Sequence, residues 1–483
     1  MSLLFSLEIM SGDSSPNESI SAIPHAAVEA FDERLDGDLI LPNHEAYDDA
    51  RDVWNGLVDK RPAVIVRVRH AEDVSAGLEF AGRHDLELSI RGNAHHQAGS
   101  ALVEDGLVVD LADLTAVDVD SDARRVTVGA GATAGAALER TLEHGLAFPT
   151  GSASVVGISG STLGGGLGWM RRKRGAGFDA LREVELVTAD GTVRTVNPED
   201  DPDLFWAICG AGANFGVVTE LTFELYETPP VVPALGVFYP RDDAEAVLEG
   251  FRELTTEAPD ALSTMLLNTH VPPLPDVPED LQGTPSIAIM GAYLGDSDAA
   301  SQVLDPYRAL GDPLLDMSGE MPYVALHELG AELFPDGHLY SQRSVFLEEL
   351  TDEHLELVRT GTDDAPSPLD GIGLWPMGGA IGDSDHDTAA PWTDKEYLLV
   401  IEGQWVDPET TDQNLEWVRR RERKARDIGG EYAYPGYVGY EQQDDEDWAK
   451  LVYGESYDRL AELKAIYDPD NRFRTNVNVV PRT

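Results

Sequence analysis

The sequence is poor in several things at once, and each shortage excludes something. Among 483 residues there is one cysteine, Cys209. No intrachain disulfide and no multi-cysteine zinc or iron–sulfur centre can form, and a reducing compartment is expected. Lysine is scarce, with six (60, 173, 395, 424, 450 and 464) beside 29 arginines. Against 88 Asp and Glu, the 35 basic residues leave a net charge of −53. That excludes partners held mainly by phosphate neutralisation, namely nucleic acid and anionic membrane. No window approaches 18 apolar residues free of charge. The segment Met1–Glu18 opens with a short apolar run, Leu3–Phe5, but has neither a basic n-region nor a sustained h-region, so no export signal is read. The expectation is a soluble, cytoplasmic protein whose first 20 or so residues are frayed. A carboxylate-covered surface repels itself until salt screens it, and at about 1 M the Debye length is only ~3 Å, so the composition reads as halophile-type.

What is present suffices for a large core: 42% hydrophobic residues, 46 Gly and 29 Pro, and length for two or three domain-sized units. Short β-branched runs alternate with helical stretches. Strands are expected at Ala63–Val68, Leu86–Ile90, Leu107–Leu111, Arg125–Val128, Val184–Thr188 and Phe215–Leu225, with helices at Glu72–His84 and Ala134–His144. The first 230 residues read as one mixed unit. After Pro229–Pro230 come Pro- and Asp-rich loops at 271–282, 361–370 and 379–391. They separate a strand at Tyr397–Trp405 from helices at Asp243–Thr256, Asp298–Leu310 and Thr411–Asp427, the last with the charges of a solvated helix. A helix at Ser456–Tyr467 stops at Asp468–Pro469. No repeat with a period of 20–50 residues is present.

Three glycine-rich pieces carry the chemistry. Arg91–Gly92–Asn93–Ala94–His95–His96–Gln97–Ala98–Gly99–Ser100 follows one expected strand and precedes another. Small residues there let main-chain N–H groups converge on an anion, with Arg91 adding charge; a plain glycine turn is the alternative. Gly157–Gly168 holds Gly157, Gly160, Ser161, Gly164, Gly165, Gly166 and Gly168, a density that clears side chains from main chain a planar or phosphorylated ligand must touch. The basic run Arg171–Arg174 beside it reads equally as a solvated charge cluster. In the third piece, Gly210, Gly212 and Gly216 miss the dinucleotide G-x-G-x-x-G spacing and lead into a strand, which disfavours a Rossmann nicotinamide site.

Taken in order, with Arg61–Pro62–Ala63 upstream and Asp468–Pro469–Asp470–Asn471–Arg472–Phe473–Arg474–Thr475–Asn476–Val477–Asn478 downstream, these motifs resemble the FAD-linked oxidases of the berberine-bridge-enzyme type, within the vanillyl-alcohol-oxidase superfamily. The resemblance covers roughly residues 35–230 and 430–483. It implies an α+β fold: a two-subdomain PCMH-type FAD-binding domain (35–230) after an N-terminal extension (1–34), an α/β substrate domain with an antiparallel sheet (231–430), and a segment (431–483) returning to the first domain.

The resemblance also implies roles. The family's Arg-Gly-Gly-Gly-His loop wraps the FAD diphosphate and links its histidine to the flavin. Here that stretch is Arg91, Gly92, Asn93, Ala94 and His95, so Asn93 and Ala94 replace glycines, His95 takes the covalent position, and His96 is a rival. The second, cysteinyl bond of some members falls on Ala153, which implies a single link through His95. Val156 falls at the position associated with oxygen access and favours an oxidase using O2 over a dehydrogenase using another acceptor. Gly164–Gly168, Gly216 and Val218 would approach the dinucleotide, and Asn476 and Asn478 would return to it. For the base, the family's Tyr-x-Asn-Tyr segment appears as Tyr437–Val438–Gly439–Tyr440, without the asparagine. A phenol needs a partner to act near neutrality. Glu402 shares a strand face with Gln404 and is the third catalytic candidate, behind Tyr437 and Tyr440. The implied reaction is oxidation of a carbinol or similar C–H of a small organic or sugar-like substrate by hydride transfer to FAD. A non-catalytic flavin-binding protein is a rival. So is a metal hydrolase built on His95, His96 and a carboxylate, but adjacent histidines do not share one face of a helix or strand. No metal is expected.

Overall fold

The computed structural model describes residues 23–383, 386–439 and 446–482. The first 20 residues, expected to fray, and Tyr440 lie outside the described residues. Among those described, no helix is long and apolar enough to cross a membrane.

The β-branched runs near the start become strands Val64–Arg67, Leu88–Arg91 and Leu107–Asp110, paired in parallel, with Asp38–Ile40 antiparallel at one edge. Helix Ala71–Arg83 packs on them through Val74, Leu78 and Phe80. A second sheet, antiparallel throughout, runs in the order Val117–Asp120, Arg125–Gly129, Val217–Glu224, Leu181–Val187, Val193–Val196. The stretch to residue 230 therefore builds two sheets that share one hydrophobic core, with Val64 and Leu107 of the first beside Val126, Val184 and Val217 of the second.

The third sheet has eight strands, all antiparallel. Its path is Leu315–Asp316, Val231–Pro240, Pro285–Tyr293, Leu262–His270, Gly371–Pro376, Tyr397–Trp405 and Leu339–Leu347, with Gly319–Pro322 also pairing Val231–Pro240. Period-2 alternation along Tyr397–Trp405 divides its side chains. Leu399 and Ile401 meet helices Ala244–Thr256, Asp352–Thr360 and Thr411–Asp427 through Val247, Phe251, Val358 and Trp417. Leu398 and Val400 point the other way, into the core shared with the first two sheets. Glu402 and Gln404 continue that second face.

The basic run at 171–174 is not a solvated cluster. Arg171 and Arg172 are buried; Arg172 donates to the carbonyls of Met377 and Ala258 and lies 3.5 Å from Asp260. Lys173 reaches the Leu294 carbonyl, and Arg174 lies 4.5 Å from the centre of the Tyr226 ring. These side chains bolt the glycine-rich segment to the large sheet, whose strand ends offer the carbonyls.

After helix Tyr457–Tyr467 the chain folds back. Lys464 and Asp468, both fully buried, pair at 2.8 Å. Lys464 also donates to the carbonyls of Asn214 (2.7 Å) and Phe473 (2.8 Å). Asn214 donates to the Val477 carbonyl at 3.2 Å and accepts from the Val479 amide at 2.9 Å, which lays residues 476–479 beside the start of strand Val217–Glu224.

Candidate active site

Between the large sheet and the first two lies a cavity of about 970 Å³, at the upper end of the range for small-molecule sites. One end is glycine-rich and the other is walled by the sheet. Gly92–His96 leaves the end of strand Leu88–Arg91 and turns through Ala94, a non-glycine residue at φ +57°. The main-chain N–H groups of Asn93, Ala94, His95 and His96 donate to no acceptor among the described residues. Facing them, Gly157, Gly160, Ser161 and Gly164 line the cavity from the helix Ile158–Gly164 and its N-cap, and Gly216, Val218 and Asn476 line it from the second sheet and the returning segment. A Cβ on Gly160 would project into open space, whereas one on Gly157 would stand 2.4 Å from Asn93 Oδ1. The side-chain oxygens of Asn93 and Asn476 are buried without a partner. Bare amides, open glycine surface and orphaned amide oxygens fit a bound dinucleotide, and among the described residues no Lys or Arg lines the cavity. The anion would be held by main-chain N–H groups.

The two histidines differ sharply. His96 is engaged at both nitrogens: Nε2 donates to the Pro435 carbonyl (3.1 Å), which leaves Nδ1 to accept from the Ser100 hydroxyl (3.0 Å). His95 forms no hydrogen bond or ion pair among the described residues. Burial lowers its pKa and outweighs a nearby Asp336, so the ring is neutral near pH 7. Its ring lies 5.9 Å from Trp54, which stacks on Tyr340 at 3.9 Å.

Several expected positions do something else. Arg91 does not reach the cavity: it pairs with Asp110 at 3.2 Å and donates to the Asp52 carbonyl, being drawn to a carboxylate with no exposure. Gly165, Gly166 and Gly168 are packing glycines. A Cβ on Gly168 would lie 2.0 Å from the Thr150 carbonyl oxygen, and the Gly166 amide donates to the Tyr434 hydroxyl. Asn478 lies off the cavity, although its Oδ1 is buried and unpartnered. Among its described residues the loop at 379–391 contributes no wall, whereas 271–274 and Gln282 do.

At the sheet end, Glu402, Gln404 and Gln342 face the cavity, with Gln342 opposite Glu402 in the ladder. Glu402 is 6% exposed, and its carboxyl has no hydrogen-bond partner among the described residues; burial pushes that carboxyl up to about 7. Tyr437, in the turn Pro435–Tyr437, comes within electrostatic reach of it. Burial is the largest cause lifting the Tyr437 phenol well above its usual value, with Glu402 and Tyr434 adding to the rise and Arg171 opposing it. A run of rings fixes this tyrosine: Phe346 on Trp392 (4.9 Å), Trp392 on Tyr434 (5.7 Å), Tyr434 on Tyr437 (5.5 Å) and Tyr437 edge-on to Trp375 (6.1 Å). Each such pair is worth about 0.5–1.5 kcal/mol. Much of the remaining wall is apolar, with Leu235, Phe238, Leu267 and Leu326 beside Met265, Met290, Met317 and Met321, four of the chain's eight methionines, and its polar members are Thr269, His270, Gln282, Glu332 and His338.

Residues 62–197 match the model of an FAD binding domain, and residues 436–480 match a berberine and berberine-like segment. Over 455 residues the chain is 30% identical to (R)-6-hydroxynicotine oxidase of Paenarthrobacter nicotinovorans, covering 92% of this chain and 97% of that one. The chain belongs to the berberine-bridge-like FAD-linked oxidoreductases. Among solved structures, 6-hydroxy-D-nicotine oxidase from Arthrobacter nicotinovorans superposes with a TM-score of 0.82 at 26% identity, over 93% of this chain and 98% of that one. Physcomitrella patens BBE-like 1 shares the fold at a TM-score of 0.84 and 21% identity, over 94% and 99% of the two chains. This chain is thus an FAD-linked oxidoreductase with an α+β, PCMH-type fold. Within that family, Trp54, Tyr340, Gln342 and the methionine wall went unread in the sequence. They carry no local motif and meet only when the large sheet closes on the glycine-rich loops.

Proposed function

We propose that the protein is an oxidase of a small, mainly apolar organic substrate, removing hydrogen from a carbinol or similar carbon. The observation that carries the reading is one continuous cavity joining the bare amides of Asn93–His96 to the Glu402–Tyr437 wall. Bound FAD would supply the hydride acceptor for the substrate carbon, with O2 as the final electron acceptor. The loop amides would hold the diphosphate, and His95, the histidine with both ring nitrogens uncommitted, would carry the single covalent link. Val156 lies on the cavity wall, at the position the family resemblance ties to oxygen access. Glu402 and Tyr437 together take the substrate's proton: a carboxyl poised near 7 supplies the basicity that a buried phenol lacks. Four methionines and a ring of leucines favour an apolar substrate over a sugar, whose hydroxyls each need a partner. Gln342 and Gln404 orient its one or two polar groups. The charge of −53 and a single buried cysteine support a salt-rich, reducing cytoplasm as its setting.

The test joins two measurements on protein purified in high salt. Acid precipitation should leave a yellow pellet, and the peptide containing His95 should carry the mass of the flavin. Anaerobic addition of apolar alcohols should bleach the spectrum, and oligosaccharides should not. A colourless folded protein that binds no added FAD refutes the reading, and bleaching by sugars alone refutes the substrate class.

A further inference from the structure

Strand Leu339–Leu347 ends the eight-stranded sheet, with Tyr397–Trp405 along one side. On the other side its main-chain groups need partners that no described strand supplies. Two buried carboxamides take them, each 1% exposed. The Tyr340 N–H donates to Asn55 Oδ1 (3.0 Å), and Asn55 Nδ2 donates to the Tyr340 carbonyl (2.9 Å). Two residues on, the Gln342 N–H donates to Gln97 Oε1, and Gln97 Nε2 donates to the Gln342 carbonyl (2.9 Å). Each carboxamide exchanges the pair of bonds that a neighbouring strand would exchange, and Asn55 Nδ2 also donates to the Gln97 main-chain carbonyl (2.7 Å). Gln97 belongs to the loop of the two histidines. His95 keeps both ring nitrogens free among the described residues. His96 donates to the Pro435 carbonyl (3.1 Å), in the turn that ends in Tyr437. Gln97 grips the main chain of Gln342, whose side chain faces the cavity opposite Glu402. Three consecutive residues therefore join the proposed flavin link to both halves of the substrate wall. Water would cap this edge as well; a side chain two residues from His95 caps it with no slack between loop and sheet.

We propose that Gln97 is a positioning residue for the oxidation: its carboxamide fixes the register between the loop that carries the flavin at His95 and the strand that carries Gln342 opposite Glu402. The proposal rests on the reading of His95 as the link and of Glu402 and Tyr437 as the proton-accepting wall. Gln97 and Gln342 are 245 positions apart in the chain, and the reacting carbon has to sit between the parts they belong to. A misplacement of about 1 Å costs on the order of 100-fold in rate, while binding is spread over the whole cavity wall and changes little. An apolar side chain at this position fills the space but strands the N–H and carbonyl of Gln342, and loop and sheet must move apart to let other partners reach them.

The experiment compares Gln97→Met and Gln97→Glu with wild type in the FAD-loaded protein. Methionine keeps the length without the pairing, whereas an un-ionised carboxyl accepts and donates as the carboxamide does. The first readout is the rate of anaerobic flavin bleaching by 1-octanol, cyclohexanol or benzyl alcohol, whichever bleaches wild type fastest. The second is the gap between His95 and Glu402 in crystal structures of the substrate-free proteins. Gln97→Met should bleach at least about tenfold more slowly, with the alcohol concentration for half-maximal rate within about threefold of wild type and the gap changed by about 0.5 Å or more. At about pH 5.5, Gln97→Glu should return to within about threefold of the wild-type rate at that pH. A Gln97→Met rate within about threefold of wild type, an unmoved gap, or a Gln97→Glu rate in acid as low as that of Gln97→Met overturns the proposal. If Gln97→Met does not fold, the ratio of Gln97→Glu to wild type decides alone. It should fall at least about tenfold between about pH 5.5 and 9, as the introduced carboxyl ionises and turns an acceptor towards the Gln342 carbonyl; a flat ratio, or failure of both variants to fold, overturns the proposal. Wild type bleached by none of the three alcohols tells against the substrate reading instead, and the gap in the crystal structures then decides the register.

Discussion

Replacing Glu402 with glutamine should make the protein more stable at alkaline pH and leave it unchanged in acid. Burial on the inner face of the large sheet lifts this carboxyl to about 7, whereas in the unfolded chain it titrates near its ordinary value of about 4.3. Between the two values the folded protein holds a proton that the unfolded chain has released. Folding stability contributed by Glu402 is therefore complete below about pH 4 and is lost as pH rises through 7. A gap of roughly 2.5 pH units at about 1.36 kcal/mol each gives ~3 kcal/mol. Glutamine keeps the shape and cannot ionise. The variant should match wild type at pH 4.5 and exceed it by up to ~3 kcal/mol at pH 8.5, which for a chain of this size is a rise in Tm of about 3 °C. Asp370 is also buried and also lifted to about 7, so wild-type stability alone would mix the two. The difference between variant and wild type, measured by thermal unfolding in the same high-salt buffer across that range, cancels Asp370. A difference that stays constant with pH would refute the reasoning, because it would mean that Glu402 ionises in the folded state as it does in water.

Three further outcomes are expected. Gly160→Leu should leave the melting temperature of the cofactor-free protein within about 1 °C, since a Cβ there meets nothing within 4 Å, yet it should abolish FAD retention on a desalting column; retained flavin would remove Gly160 from the cradle. Ala94→Gly should raise stability by about 1 kcal/mol, because alanine at φ +57° bears a left-handed cost that glycine escapes, partly offset by glycine's greater unfolded entropy; a lower chemical-denaturation midpoint would contradict this. Lys464→Met should cost about 3–5 kcal/mol, since it strands the fully buried Asp468, and should be visible as a lower thermal midpoint with loss of flavin; a neutral result would show that the pair is dispensable.

How far the sequence could be read depended on which contacts were local. The strands at 64–67, 107–110 and 397–405 were visible because β-branched runs and period-2 alternation are local signals, and Glu402 and Gln404 were placed on one face from that alternation alone. Most strands of the large sheet were not. Leu339–Leu347 is buried throughout although it carries Ser341, Gln342, Arg343 and Ser344. Arg343 pairs with Glu422, the Ser344 hydroxyl accepts from the Tyr434 amide and Gln342 faces the cavity, and nothing in the segment says so. The same limit governs the site. The glycine pieces announced a cradle, but the spacing that suggested Arg91 as its charge could not reveal Asp110, its parallel-strand neighbour. Nor could four adjacent basic residues reveal that strand-end carbonyls of a distant sheet would bury two of them.

The bond from Asn214 to Val477 spans 263 positions of sequence, and that distance sets an order of assembly. While the chain emerges from the ribosome, the amides that would grip a diphosphate are made early and stay exposed. The sheet that walls the substrate must be built and docked before the returning segment can be drawn in beside them. Flavin capture is then a late event that reports completion of the whole molecule, and a lesion anywhere in the intervening sheet should first be seen as a pale protein.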